Sequence, residues 1–269
     1  MLIRFICVNY NNFGDTEKFC ESLLAQLGRD REYMLHCVVV DNSTDHQDSQ
    51  MLESFTSHYP WISYRRPSGN LGYFGGLNFG LEMKTACDER YVVISNNDII
   101  FEQDFCRKLI GKSYDPKVFS ICPDVITSDG IHQNPHVLNK MSWFHKIQYD
   151  VYYSHFVVAR IMLQLRRLLR PVKASQSPRP GACEIHMGIG ACYVLTAEFL
   201  RRFRKLHFPF FLYGEEAYFS DQIHSAGGIL WYDPDFRVHH TESAATSKLP
   251  RRTVYELSRK GYRFYRSML

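Results

Sequence analysis

Apolar positions in the first half of the chain fall alternately into strand-length runs and helical stripes. Leu2 to Val8 is a nearly unbroken apolar run, and Leu35 to Val40 is a second. Between them, Asp15 to Leu27 sets Phe19, Leu23, Leu24 and Leu27 on one face of a helix. The same pattern predicts a helix over Gln47 to Ser57, a short strand over Trp61 to Tyr64, a helix over Phe74 to Ala86 and a strand over Tyr91 to Ser95. Such alternation predicts an α/β fold, with a mostly parallel central sheet flanked by helices. Polar residues gather just after strands one, two and four, at their carboxyl ends. Open α/β sheets take their ligands at that edge.

Past Val125 the alternation stops. Residues 126–183 read as an insertion that ends in the basic amphipathic stretch Phe156 to Arg170 and a Ser/Pro-rich linker, Ala174 to Gly181. Sheet-like patterning returns over Glu184 to Leu195. A helix from Glu215 to Ala226, stopped by Gly227-Gly228, precedes a strand over Ile229 to Tyr232. The basic tail from Lys248 to Leu269 predicts a further helix. The expected organisation is one domain, with a first half over 1–125, the insertion over 126–183, a second half over 184–247 and the tail over 248–269.

Composition narrows the functional classes. At 269 residues, 45% of them hydrophobic, the chain can bury a full core. A net charge of +4 is too mild to predict a nucleic-acid partner. The eight cysteines are scattered without a C-x-x-C pair, which fits reduced core thiols in a cytoplasmic protein better than a zinc site. The N-terminus enters a strand pattern at once and lacks the profile of a signal peptide, so secretion by that route is not expected. No apolar run approaches the roughly 20 residues of a membrane span, so any membrane contact is expected to be peripheral.

Candidate chemistry concentrates in short motifs. Gly69 to Gly80 is a glycine-rich turn that carries Asn70 and Asn78 and leads into a helix-like run, a setting in which backbone N–H groups can approach a diphosphate. Val38-Val39-Val40-Asp41 ends a strand in a carboxylate, which either caps the following turn or accepts hydrogen bonds from a nucleoside. Asn96-Asn97-Asp98 ends another strand, where Asp98 either caps the next helix or holds a cation. Glu215 and Glu216 open a helix, where its dipole favours carboxylates whether or not they do chemistry. His239 and His240 follow a strand and must point to opposite faces, so at most one faces a site directly.

In this order and spacing, from Ile3 to about His240, the chain resembles the family 2 glycosyltransferases of the GT-A fold, and more closely their bacterial rhamnosyltransferase-like branch. The resemblance implies a single Rossmann-like domain and an inverting transfer of sugar from a UDP- or dTDP-sugar, with dTDP-rhamnose a leading donor. It assigns the nucleotide to Val8, Asn9, Tyr10, Asp41, Asn70, Gly72, Gly76, Asn78, Asn96 and Asn97. It assigns a divalent cation, Mg²⁺ or Mn²⁺, to Asp98 and His240. Glu216 becomes the general base, with Glu215 orienting acceptor or metal. The implied pathway is bacterial surface polysaccharide assembly, O-antigen or capsule, with a glycan acceptor that can be polyprenyl-diphosphate-linked.

Three positions depart from the family pattern. The metal motif carries one carboxylate instead of two or three, the usual Glu-Asp is Glu215-Glu216, and Tyr218 stands where many relatives have a further acid. A thin metal motif also fits a non-catalytic nucleotide-sugar or membrane-binding protein of the same fold. A sugar nucleotidyltransferase is a further rival, disfavoured because the first strand runs into Asn9-Tyr10-Asn11-Asn12 instead of a basic glycine-rich loop. From Val151 to Cys183 there is no acidic residue. The basic segments there and in the tail predict contact with an anionic membrane surface on its inner, cytoplasmic face, or else a packed helix with a solvated basic side.

Overall fold

The computed structural model describes residues 1–27, 33–84, 89–169, 181–241 and 251–269. In chain order its elements are β1 (Leu2–Asn9), α1 (Phe13–Leu24), β2 (Met34–Asp41), α2 (His46–Ser57), β3 (Ile62–Arg65), α3 (Tyr73–Leu81), β4 (Glu89–Asn96), β5 (Ile99–Phe101), α4 (Phe105–Gly111) and β6 (Val118–Thr127). There follow α5 (Trp143–Tyr152), α6 (Phe156–Leu169), β7 (Cys183–Ile185), β8 (Cys192–Thr196), α7 (Ala197–Arg202), α8 (Glu215–Ser225), β9 (Ile229–His240) and α9 (Arg251–Tyr265).

One sheet of nine strands runs β3-β2-β1-β4-β8-β6-β9-β5, with β7 also on β9. Pairing is parallel among the first four strands of that order and between β6 and β9. It is antiparallel where β8 inserts between β4 and β6, and where β5 and β7 meet β9. Register brings the polar ends together. Asn9 lies opposite Asp41, Val8 opposite Asn96, and Ile99 opposite His240.

Side chains alternate across the sheet as strand geometry requires. Ile3, Phe5 and Cys7 of β1 join Val39, Val93 and the helical Phe19, Leu23 and Leu52 on one face. Ile6 and Val8 join Val40, Ile94, Phe74, Leu77 and Phe219 on the other. The cysteines fit the expected thiol chemistry. Apart from Cys87, which lies outside the described residues, they are free, and all but the half-buried Cys183 are buried.

Several boundaries differ from expectation for physical reasons. The region expected as one sheet segment, Glu184 to Leu195, divides into β7 and β8. The strand expected to stop at Tyr232 continues to His240, through Asp233-Pro234-Asp235, with a register shift against Pro123 and Asp124. Lys112 makes that polar stretch tolerable by reaching Asp233 at 2.7 Å and Asp235 at 2.6 Å, while Tyr114 donates to Asp233. The helix expected to reach Ala86 is described as ending at Leu81, and residues 85–88 lie outside the described residues, as do the linker 170–180 and the start of the tail, 242–250.

The insertion and the tail form one layer. Tyr153 and Tyr262 stack at 4.6 Å, Tyr262 donates to Asp150 at 2.7 Å, and Arg266 pairs with the same carboxylate through two contacts of 2.5 Å. Met187, Ala217, Tyr262 and Leu269 seat this layer against α8.

Two helical glycines give the same substitution opposite signs. A Cβ at Gly80 would lie 2.5 Å from Ile6 Cγ2 and 3.2 Å from Val40 Cγ2, because α3 rides directly on the sheet; around Gly14 there is nothing within 4 Å. Gly80→Ala is expected to lower stability by about 1–3 kcal/mol through overpacking. Gly14→Ala should raise it by about 0.5–1 kcal/mol through helix propensity. Urea unfolding midpoints of the two variants test this, and a stabilised Gly80→Ala would contradict the packing.

Candidate active site

The carboxyl ends of β1, β2 and β4 are joined through one buried amide. Asn9 is wholly enclosed; its Nδ2 lies 3.2 Å from Asp41 Oδ1, 2.9 Å from Ser43 Oγ and 2.7 Å from Asp48 Oδ2. Its Oδ1 accepts from Thr16 Oγ1 at 2.8 Å and from Asn97 Nδ2 at 3.3 Å. Asn97 also donates to Thr16 at 2.8 Å. Asn9 and Asn97, expected as nucleotide contacts, thus meet in one hydrogen-bond network with Thr16.

Asp41 lies in the same network. Ser43 N donates to its Oδ1 at 3.0 Å, the Tyr64 hydroxyl donates to its Oδ2 at 2.8 Å, and Arg66 stands 3.8 Å from that oxygen. Burial works against ionisation of Asp41, yet hydrogen bonds from Ser43, Ser49 and Tyr64 outweigh it and hold the carboxyl below its ordinary range. Tyr64 and Arg66, which no sequence motif singles out, cover its outer oxygen.

The glycine turn is held from both sides. Asn70 Oδ1 accepts from Gly72 N, and Asn42, another residue without a predicted role, donates to Gly72 O, each at 2.9 Å. Gly72 has φ 74°, and a Cβ there would come 2.3 Å from the carbonyl oxygen of Phe211. The Asn78 side-chain amide donates to Leu206 O at 2.9 Å and accepts from Leu206 N at 2.7 Å, and Gly76 packs on Val8. Val8 is buried against Gly76, while Tyr10 is exposed.

Asp98 and His240 do come together. The strand β5 pairs with the end of β9, Thr241 N donates to Asp98 O at 3.0 Å, and His240 Nε2 lies 3.3 Å from Asp98 Oδ1. Asn96 Nδ2 is 3.5 Å from the same imidazole nitrogen. His239 turns to the other face, 3.8 Å from Glu102, as strand alternation predicts. Among the described residues no cluster of three or more His, Cys, Asp or Glu is arranged to hold a metal.

A second acidic group stands at the start of α8. Tyr213 and Gly214 adopt left-handed backbone, φ 70° and 108°, and turn the chain into the helix. Glu216 Oε1 accepts from Gly190 N at 3.3 Å. Glu215 is buried; burial, and then the neighbouring Glu216, push its carboxyl up to about 8, against partial relief from the backbone N–H groups of Glu215, Tyr213 and Gly214. Tyr73, the first residue after Gly72, donates to Gly190 O at 2.9 Å. Burial raises its hydroxyl well above the usual value, and Cys192, Glu215, Glu216 and Asp98 add to the rise, so it stands within electrostatic reach of both acidic groups. Tyr218 packs among Phe208 and Phe210.

Comparison with known proteins supplies a family and a fold. The family described as glycosyl transferase family 2 matches residues 5–172. The structure is similar to GalNAc-T7 crystallised with UDP, GalNAc and Mn²⁺, at TM-score 0.62 and 14% identity over 97% of this chain and 47% of that one. It is also similar to S. aureus TarS 1-349 in complex with UDP-GlcNAc, at TM-score 0.57 and 14% identity over 93% and 62%. A further S. aureus TarS structure matches at 0.55 and 15% identity over 91% and 37%. The chain therefore spans about half the length of the first of these structures, and the likeness at such identities concerns the fold alone. No curated protein matches it in sequence.

The raised Glu215 carboxyl has a consequence for stability. Between its ordinary value of 4.5 and its folded value of about 8, the folded chain keeps a proton that the unfolded chain releases. This group's effect on stability is therefore least unfavourable below 4.5 and increasingly unfavourable as pH rises towards 8. Glu215→Gln is expected to flatten the decline in urea stability between pH 5 and 8 and to gain most at pH 8. Equal slopes in wild type and variant would mean that Glu215 is ionised when folded.

Proposed function

The chain belongs to glycosyl transferase family 2, and from that premise we propose that it moves a sugar from a UDP- or dTDP-sugar to a glycan hydroxyl with inversion at the anomeric carbon. One observation carries the reading. A carboxylate and an imidazole meet 3.3 Å apart where β5 pairs with the end of β9, and Gly190 links the glycine turn to the acidic start of α8 by accepting from Tyr73 and donating to Glu216. The UDP in the neighbouring structures supports a uridine nucleotide; dTDP-rhamnose remains a leading donor through the motif resemblance.

Asp98 and His240 would hold Mg²⁺ or Mn²⁺. A single carboxylate beside a single imidazole suits a cation that takes most of its oxygens from substrate phosphates, so the residues present fit the group. When bound, it would neutralise charge on the departing diphosphate. On the nucleotide side, Asn9 and Asn97 would act by fixing Asp41, and Asn42 and Asn70 by shaping the Gly72 turn. Glu216 would take the proton from the acceptor hydroxyl as its oxygen bonds to the anomeric carbon and the bond to the diphosphate breaks. Glu215, whose carboxyl is raised by burial and by the neighbouring Glu216, would favour its neutral form and orient the acceptor hydroxyl beside Glu216.

A lipid-linked acceptor in O-antigen or capsule assembly would bring the enzyme to the inner face of the membrane. No helix among the described residues is long and apolar enough to cross a bilayer. Peripheral contact is supported by exposed apolar side chains on the helical layer: Trp143, Phe144 and Ile147 along α5, and Val157, Ile161 and Leu165 at i, i+4 and i+8 along α6. Arg160 lies beside the second stripe, in a segment without acidic residues. Of the basic residues expected to contribute, Arg170, Lys173, Arg179 and Lys248 lie outside the described residues.

Glu216→Gln should lower transfer by roughly 10²-fold or more with little change in nucleotide affinity, because the amide keeps the shape and cannot accept the proton. Nucleotide release from a panel of UDP- and dTDP-sugars, with and without Mn²⁺, measures this. Thermal protection by a nucleotide sugar without any release would return the protein to a binding role.

The protein should sediment with anionic and not with zwitterionic liposomes, and added salt should release it. Replacing Trp143 and Ile161 with serine should weaken sedimentation and spare transfer to a short soluble acceptor. Equal recovery with both liposome types would remove the charge-based part of the reading.

A further inference from the structure

His240 can serve a cation only through a nitrogen that carries a lone pair, and an imidazole has two nitrogens whose roles are set by their partners. At Nε2 stand Asp98 Oδ1 at 3.3 Å and the amide Nδ2 of Asn96 at 3.5 Å. At Nδ1 stands Gln133 Oε1, 2.9 Å away. Gln133 comes from the segment that reads in sequence as an irregular insertion, more than a hundred positions before His240.

The fold delivers this side chain through a hairpin on the end of β6. Thr127 N donates to Ile131 O at 2.9 Å, Ile126 bridges His132 in antiparallel fashion, and Gln133 N donates to Val125 O at 2.8 Å. Both neighbours of Gln133 are fixed. His132 Nδ1 lies 2.7 Å from the buried Asp124. Asn134, itself buried, donates to Pro123 O at 2.7 Å and accepts from Ile189 N at 2.8 Å. The hairpin thus has little freedom to move relative to β9, whose residues 239 and 240 lie beside Ile126 and Thr127.

We propose that Gln133 is a positioning residue that accepts the Nδ1 proton of His240, keeping the Nε2 lone pair turned toward Asp98 and ready for a divalent cation. The proposal rests on the reading of Asp98 and His240 as cation ligands. Its chemistry is that of an outer partner that fixes the ring and tautomer of a metal-binding histidine. Asn96 agrees with it, because an amide N–H near Nε2 faces a lone pair without conflict. The same chemistry gives a role to a glutamine that no short motif marks.

The tautomer can be read without metal or turnover. Nitrogen-15 NMR of the metal-free protein at pH 9, with His240→Gln used to assign the signal, should find the His240 proton on Nδ1. Gln133→Leu should move it to Nε2, and Gln133→Glu, which keeps an acceptor oxygen, should leave it on Nδ1. Mn²⁺ affinity measured by electron paramagnetic resonance in the presence of UDP should fall about 10-fold or more in Gln133→Leu and stay near wild type in Gln133→Glu. A wild-type proton on Nε2, or a Gln133→Leu variant with unchanged tautomer and affinity, would overturn the proposal. If His240 carries its proton on Nδ1 yet wild-type protein with UDP binds no Mn²⁺, the cation reading itself fails and takes the proposal with it.

Discussion

Two carboxylates, Asp41 and Asp48, are buried at the sheet edge where the site forms, and both hydrogen-bond to the side-chain amide of Asn9. Buried charge is tolerated only where donors compensate it, so the position of this amide constrains everything around it. Through Thr16 the network reaches α1, through Asp48 it reaches α2, and through Asn97 it reaches the turn that carries Asp98. The ends of three strands therefore keep one mutual arrangement. Removing the amide would leave partly uncompensated carboxylates beneath the site, a loss larger than that of one ordinary hydrogen bond.

The start of α8 solves a related problem in the opposite way. Two glutamates adjacent in sequence and similar in chemistry meet different environments: one is buried, where burial and its neighbour raise its carboxyl, and the other accepts from Gly190 N. A helix N-terminus favours negative charge, but a pair of full charges in a mostly buried first turn would repel. The raised carboxyl of the inner member is the direction in which that repulsion and its burial both push.

Much of the fold was legible because β1, β2 and β4 are apolar runs whose period admits no other reading, and the expectation that the adjacent histidines would split across the strand came from the same geometry. What escaped had non-local causes. The antiparallel strand β8 lies between β4 and β6 although nearly a hundred residues separate it from β4, and no local pattern encodes that insertion. The strand β9 runs through Asp233-Pro234-Asp235 because Lys112, far off in sequence, neutralises it. Within the site, a short motif identifies an amide but not its direction. Asn9, Asn78 and Asn97 look alike as candidate ligands, and only the structure gives their partners: Asp41, Asp48 and Thr16 for Asn9, Leu206 for Asn78 and Thr16 for Asn97. Gln133 carried no signal, since its value depends wholly on which residue its hairpin meets.

The contacts around Gly72, Gly214 and Gly261 leave almost no slack between parts that belong to different stages of the chain. A methyl group on Gly72 would strike the Phe211 carbonyl, one on Gly214 would strike the Tyr265 ring, and one on Gly261 would strike the Tyr213 carbonyl. The glycine turn, the loop that carries Phe211 and Tyr213, and the terminal helix α9 are thus pressed together, like plates without a gasket. Such a stack transmits displacement instead of absorbing it. Displacing the loop beside Glu216 while α9 stayed in place would therefore break the close approaches at Gly214 and Gly261.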